Sequence, residues 1–153
     1  MEESVKNLEQ EQPCGGMENA MEQGQQAPID FLVHCKQALR LEKIDIANYS
    51  PLALAYIGDA VYELMIRTHV VSHGSMQVNK MHKKSASLVK AQTQAELIKI
   101  LEPELTPLEH AAYKRGRNAN TSIPKNAEPA DSHAATGLEA MFGYLYLKGE
   151  IDR

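Results

Sequence analysis

The chain has no tryptophan, two phenylalanines and two cysteines in 153 residues, and each shortage closes off a class of protein. Cys14 and Cys35 are too few to staple a secreted scaffold or to form a cysteine metal knuckle, so a reducing compartment suits them. Apolar runs are short, Val70-Val71 and Leu97-Ile98 being typical, which excludes a membrane-spanning helix. The amino terminus carries Glu2 and Glu3 in place of a basic segment before an apolar run, so it does not read as a secretory signal, and the expected location is cytoplasmic. Alternating β-branched runs bounded by turn residues are also missing, which argues for an all-α fold.

What is present is unevenly charged. The net charge of −4 is concentrated at one end, because residues 1–28 hold six glutamates against Lys6 alone. That segment is rich in Glu, Gln, Gly and Asn and short of large apolar side chains, so it cannot bury enough surface to offset the entropy of ordering. It is expected to be a disordered acidic, Gln-rich extension, with one domain over 29–153. In that domain no acid lies between Glu63 and Glu96, whereas Arg67, Lys80, Lys83, Lys84 and Lys90 do; a second acid-free stretch from His110 to Ala127 holds Lys114, Arg115, Arg117 and Lys125. Segregated positive charge on a near-neutral body is the footprint of a phosphate-rich partner, solvated basic faces being the plainer alternative.

Helical periodicity organises the remainder. Phe31, Leu32, Cys35, Ala38 and Leu39 predict a first short helix over about Phe31 to Leu41. Ser50 before Pro51 opens a second, which runs to about His73 with Gly74 as its stop. Leu54, Ile57, Val61, Leu64 and Thr68 form one stripe and Tyr56, Asp59, Glu63, Ile66, Arg67 and Val70 another; apolar groups on both predict a central helix. From Met76 to Leu101 the pattern predicts one continuous helix ended by Pro103. Thr106-Pro107-Leu108-Glu109 reads as a capping box opening a helix that reaches Lys114 to Asn118. Asn120 to Asp131 is then a loop, and Asp131 or Ser132 caps a last helix ending near Gly149.

Two acids stand out against this pattern. Asp59, in Tyr56-Ile57-Gly58-Asp59-Ala60-Val61, and Glu139, in Leu138-Glu139-Ala140-Met141-Phe142, are each hemmed in by apolar neighbours. Burial without a partner costs roughly 2–7 kcal/mol even for a neutral polar group, so buried carboxylates need compensation, and one metal ion shared by both would supply it. Ordinary half-exposed acids are the alternative. Gly58 inside a helix costs ~1 kcal/mol relative to alanine and needs a reason. A close crossing with the helix that carries Gly143, four residues after Glu139, would give that reason and bring the acids together. His69 and His73 have an i,i+4 spacing that can bind zinc, but the zinc-protease glutamate and a third ligand are missing, so a solvated helix end is expected there.

Five blocks follow one another across roughly residues 46–148: Leu52-Ala53-Leu54-Ala55-Tyr56-Ile57-Gly58-Asp59-Ala60, His82-Lys83-Lys84-Ser85, Ala91-Gln92-Thr93-Gln94-Ala95-Glu96, Lys114-Arg115-Gly116-Arg117-Asn118-Ala119, and Leu138-Glu139-Ala140-Met141-Phe142-Gly143-Tyr144-Leu145. Together they resemble Mini-ribonuclease III, the bacterial branch of the ribonuclease III family that has the catalytic domain and no double-stranded-RNA-binding domain. The resemblance implies an all-helical endonuclease domain that acts as a homodimer, cuts double-stranded RNA with Mg2+, and matures 23S ribosomal RNA precursors. It implies Asp59 and Glu139 as catalytic acids and metal ligands, and Lys83, Lys84, Lys114, Arg115, Arg117 and Asn118 as the residues facing RNA. Glu63, one turn after Asp59, has two readings: a contact to the metal or its waters, or an i,i+4 pair with Arg67. Ribonuclease III proper carries further acids where this chain has Leu52, Ala55 and Thr136, which leaves fewer carboxylates to hold metal. Those losses suggest the alternative of a non-cleaving protein of the same fold that binds structured RNA; the retained Asp59 and Glu139 favour the nuclease.

Overall fold

Residues 27–40, 43 and 45–153 are described by a computed structural model. The chain divides into two compact units, Met1–Leu41 and Glu42–Arg153. In the first, helix α1 spans Ala27–Ala38, opening four residues before the start read from Phe31. Residues 1–26 of the expected extension, and Leu41 at the expected end of this helix, lie outside the described residues.

The second unit runs α2 (Pro51–Ser72), α3 (Val78–Leu88), α4 (Ala91–Leu101), α5 (Pro107–Arg117) and α6 (Pro129–Lys148), with short 3-10 turns at Ile46–Asn48 and Glu102–Glu104. The fold is all-α, with no strand among the described residues. Local chemistry explains most of the boundaries. Ser50 Oγ accepts the Ala53 N–H at 3.1 Å to start α2, and Gly74, at φ +106°, turns the chain away after it. At α5 the capping box closes in both directions: Thr106 Oγ1 accepts from the Glu109 N–H, and Glu109 Oε2 accepts from the Thr106 N–H at 2.7 Å. Helix α6 begins earlier than Asp131 or Ser132 would place it, because Pro129 occupies the first helical position, where its fixed φ is already helical and its missing N–H loses nothing. Asp131 then lies in the first turn, where a negative charge is favoured by the helix dipole.

The continuous helix expected from Met76 to Leu101 is broken. Lys90 is extended, at φ −60° and ψ 143°, and separates α3 from α4. Carbonyls freed at the break are taken up by side chains: Tyr62 Oη donates to Leu88 O at 3.0 Å, Thr93 Oγ1 to Ser87 O at 2.9 Å and Gln94 Nε2 to Val89 O at 3.2 Å. Apolar spacing is blind to such substitutes for helical hydrogen bonds, which is why periodicity runs straight through the corner.

Helix α6 is the hub, packed against α2, α5 and α4. Leu138 lies in a core cluster with Tyr62, Ile98, Tyr113 and Met141, and Ala140 lies in a second with Leu54 and Ala55. The α2–α6 crossing is backbone on backbone. A Cβ on Gly58 would stand 1.7 Å from the Glu139 carbonyl oxygen, and one on Gly143 would stand 1.9 Å from that of Leu54. The crossing expected from the two glycines is thus present. The stripes of α2 need correcting, however: Leu54, Ala55, Gly58, Tyr62 and Val70 face inward, while Leu52, Tyr56, Leu64 and Val71 are exposed. These four fall within about 120° of the helix circumference at 100° per residue, a bare arc, while Met65, on the inward arc toward the carboxyl-terminal half of α2, is exposed as well.

Candidate active site

Asp59 directly follows the glycine that touches α6, and Glu139 is the residue whose carbonyl that glycine touches. The crossing therefore sets both acids beside one contact. Burial is the larger influence on Glu139 and, with Asp59, pushes its carboxyl up to about 7 against the opposing hydrogen bond from Gln94. Asp59 is raised as well, first by partial burial and then by the charge of Glu63. The expectation that both acids are enclosed holds for Glu139 only in part, and fails for Asp59. Glu139 is half-buried, whereas Asp59, at the edge of the inward face of α2, is exposed in the single chain.

Among the described residues, no lysine, arginine or histidine forms an ion pair with either acid. Nor does any group of three or more His, Cys, Asp or Glu side chains converge there or elsewhere in those residues. Glu63 is committed to Arg67, its Oε1 accepting from Nε at 3.0 Å and from Nη2 at 2.5 Å, while its charge still reaches Asp59. His69 and His73 stack edge to face with ring centroids 4.4 Å apart, and His73 Nδ1 lies 2.7 Å from the His69 carbonyl oxygen, a helix-end arrangement.

The basic residues occupy two other elements. Lys83 and Lys84 are exposed on α3, which packs on α2. Lys114, Arg115 and Arg117 are exposed in the last turn of α5, where positive charge also suits the helix dipole, and Asn118 caps that helix. Arg115 spends one donor on the chain itself, Nη2 bonding the Tyr49 carbonyl at 2.9 Å just ahead of α2. Arg117 and Asn118 border a hollow of about 580 Å³ shared with Lys99 and His133; neither acid lines it. The side chain that sequence reasoning passed over is Gln94, whose Nε2 donates to Glu139 Oε1 at 3.1 Å. A signal was available, since Gln94 falls on the stripe Ala91, Ala95, Ile98 and is the polar interruption of an apolar face.

Two helices thus cross at paired glycines, each with an acid beside the contact, in a wholly helical unit. The Ribonuclease III domain family matches residues 52–150. Mini-ribonuclease 3 of Clostridium tetani is 47% identical over 114 residues, covering 72% of this chain and 75% of the relative. Mini-ribonuclease 3 of a Thermoanaerobacter species is 46% identical over 114 residues, covering 74% and 80%. The crystal structure of protein FN1578 from Fusobacterium nucleatum superposes with a TM-score of 0.65 at 31% identity, covering 72% of this chain and 88% of that one. The chain belongs to the ribonuclease III family, in its Mini-ribonuclease III branch, and is an endoribonuclease.

Proposed function

We propose that this chain is a magnesium-dependent endonuclease for double-stranded RNA, that Asp59 and Glu139 are its catalytic acids and metal ligands, and that its substrate is 23S ribosomal RNA precursor in the cytoplasm. The observation that carries the reading is the α2–α6 crossing, which sets two carboxylates beside one backbone contact and, among the described residues, gives neither an ion-pair partner. The donor set fits Mg2+, a hard cation that prefers oxygen, keeps several waters, and needs only one or two carboxylates when phosphate supplies further oxygens. When bound, Mg2+ supplies positive charge for the phosphoryl oxygens and makes water a better nucleophile at neutral pH. The protein's own part is to hold and orient. Half-buried Glu139 fixes the inner side of the site, exposed Asp59 meets the RNA backbone from the rim, and Glu63 with Arg67 borders Asp59. Water attacks phosphorus and the ribose 3′ oxygen leaves. Lys83, Lys84, Lys114, Arg115, Arg117 and Asn118 neutralise phosphates on either side of the cut, consistent with recognition of A-form RNA by shape and backbone.

A homodimer belongs to the same reading. The bare arc of α2 exposes Leu52, Leu64, Val71 and Tyr56, the last 85% accessible, and a second copy of the same arc would cover them. It would also give each RNA strand a site. No helix among the described residues is long and apolar enough to cross a membrane.

Incubation with long double-stranded RNA, with and without Mg2+, beside Asp59→Asn and Glu139→Gln tests the proposal on a denaturing gel. Magnesium-dependent cuts should fall by about a hundredfold or more in both variants while RNA retention in a gel shift persists. Retention without cuts by the unaltered chain would sink the nuclease and leave an RNA-holding protein. Sedimentation equilibrium should return twice the 17.0 kDa chain mass, and cells lacking the protein should accumulate 23S precursor with unprocessed ends.

A further inference from the structure

Gln94 is 3% exposed, on the face of α4 that packs against α6. Its Nε2 serves two acceptors, the Val89 carbonyl at 3.2 Å and Glu139 Oε1 at 3.1 Å. A carbonyl only accepts, so turning the amide around would forfeit the Val89 bond, and the network itself fixes nitrogen toward Glu139. The consequence is an orphan, for Gln94 Oε1 is enclosed with no donor in reach. An enclosed acceptor without a partner is destabilising, and a methionine or leucine would cover the same face of α4 without one. What glutamine alone supplies is a donor aimed at one carboxylate oxygen.

That donor answers a need the crossing leaves open. Gly58 fixes the backbone of Glu139, but a glutamate carboxylate still swings through three side-chain torsions. Residue 94 reaches it from α4, which restarts after the break at Val89 and Lys90, and the other bond of Gln94 ties it to a carbonyl freed by that break. The corner between α3 and α4, invisible to periodicity, is thereby connected to the site.

We propose that Gln94 is a positioning residue for Glu139, its Nε2 holding Oε1 so that Oε2 is presented in one orientation for the metal and the RNA phosphate. This rests on Asp59 and Glu139 being the metal-holding acids. Removing a group that hydrogen-bonds a ligating carboxylate typically costs about 10–100-fold in metal affinity or activity.

The test is Gln94→Met, which keeps the length, deletes the donor and removes the orphan acceptor. It is read by kcat and KM on double-stranded RNA at saturating Mg2+, by calorimetric Mn2+ binding to the RNA-free protein, and by thermal unfolding. The expected result is kcat down about 10–100-fold, Mn2+ binding weakened by about tenfold, KM for RNA within about twofold, and a folded protein. Gln94→Leu is a second variant with the same expectation. Wild-type kcat and Mn2+ affinity in either folded variant would overturn the proposal. So would failure of both to fold, because a positioning residue is not required for the fold. Glu139→Gln in the same assays separates the two levels. If it still cuts and binds Mn2+ like the wild type, the assignment of the acids has failed and the role of Gln94 falls with it; if it loses both while Gln94→Met loses neither, only the positioning role has failed.

Discussion

Glu109 and Glu139 are glutamates on adjacent helices, the first buried and the second half-buried, and the chain treats them in opposite ways. Glu109, 4% exposed, is compensated from within: Arg153 Nε bonds its Oε1 at 2.7 Å, Arg153 Nη2 its Oε2 at 3.1 Å, and the Thr106 capping box takes up the rest. Its carboxyl is held down at about 2, the Arg153 hydrogen bond being the largest cause. Glu139 receives one neutral amide and a neighbouring carboxylate, and burial pushes it up to about 7. A structural acid is thus neutralised by its own chain. An acid left short of positive charge beside a second acid is prepared for a cation from outside, which is what the proposed function asks of it.

The contrast depends first on the crossing that keeps Glu139 where it is. Gly58→Ala would put a methyl against a backbone carbonyl at 1.7 Å, and a carbonyl inside a helix cannot swing aside as a flexible side-chain end can. Overpacking of well-packed sites costs about 1–3 kcal/mol and occasionally more, and this contact belongs at the upper end. Thermal unfolding should drop by about 10 °C or more, with cleavage lost in parallel. A midpoint within about 2 °C of the wild type would mean that the helices can separate, and that the pairing of the acids is looser than described.

How far the crossing was legible is instructive. Gly58 and Gly143 announced it because a glycine inside a helix is expensive and its position is discrete; Ser50-Pro51 and Thr106-Glu109 announced their helix starts for the same reason. The break at Val89-Lys90 was not legible, since its replacements for helical bonds come from Tyr62, Thr93 and Gln94, side chains whose meeting is tertiary. The exposed arc of α2 misled in another way: apolar spacing says that a surface is covered without saying by what, and within one chain nothing covers Tyr56. Asp59 and Glu139 were legible as a pair, but their unequal exposure was not. Whether an acid stands at the rim or the floor of a crossing depends on a few tens of degrees of helix rotation.

A smaller but sharper probe applies one substitution to both glutamates. At pH 8 without divalent metal, Glu109→Gln should lower the unfolding midpoint by about 2–5 °C, because the buried end of the Arg153 pair loses its charge. Glu139→Gln should raise it by a similar or smaller amount, since it removes an uncompensated, desolvated charge and leaves an acceptor for Gln94. Equal signs in differential scanning fluorimetry would collapse the distinction between the two acids.

The smallest effect is the pH dependence of stability, and here the two acids bracket a maximum. Glu109 has a folded value of about 2 against an ordinary 4.5, so the folded state binds fewer protons between those limits. Its contribution is complete above pH 4.5 and is lost as pH falls toward 2. Glu139 has a folded value of about 7 against the same 4.5, so the folded state holds the extra proton; its favourable contribution is complete below pH 4.5 and disappears as pH rises through 7. Asp59, also raised, contributes with the same sign as pH rises above 3.8. These acids therefore make the metal-free chain lose stability from mildly acidic to neutral pH. Urea unfolding in EDTA at pH 5, 6, 7 and 8 should follow that decline, and Glu139→Gln should flatten it. Millimolar Mg2+ should restore stability mainly at pH 7 and 8, where the pair proposed to bind it is ionised, so a magnesium effect of the same size at pH 5 would detach the metal from these two carboxylates.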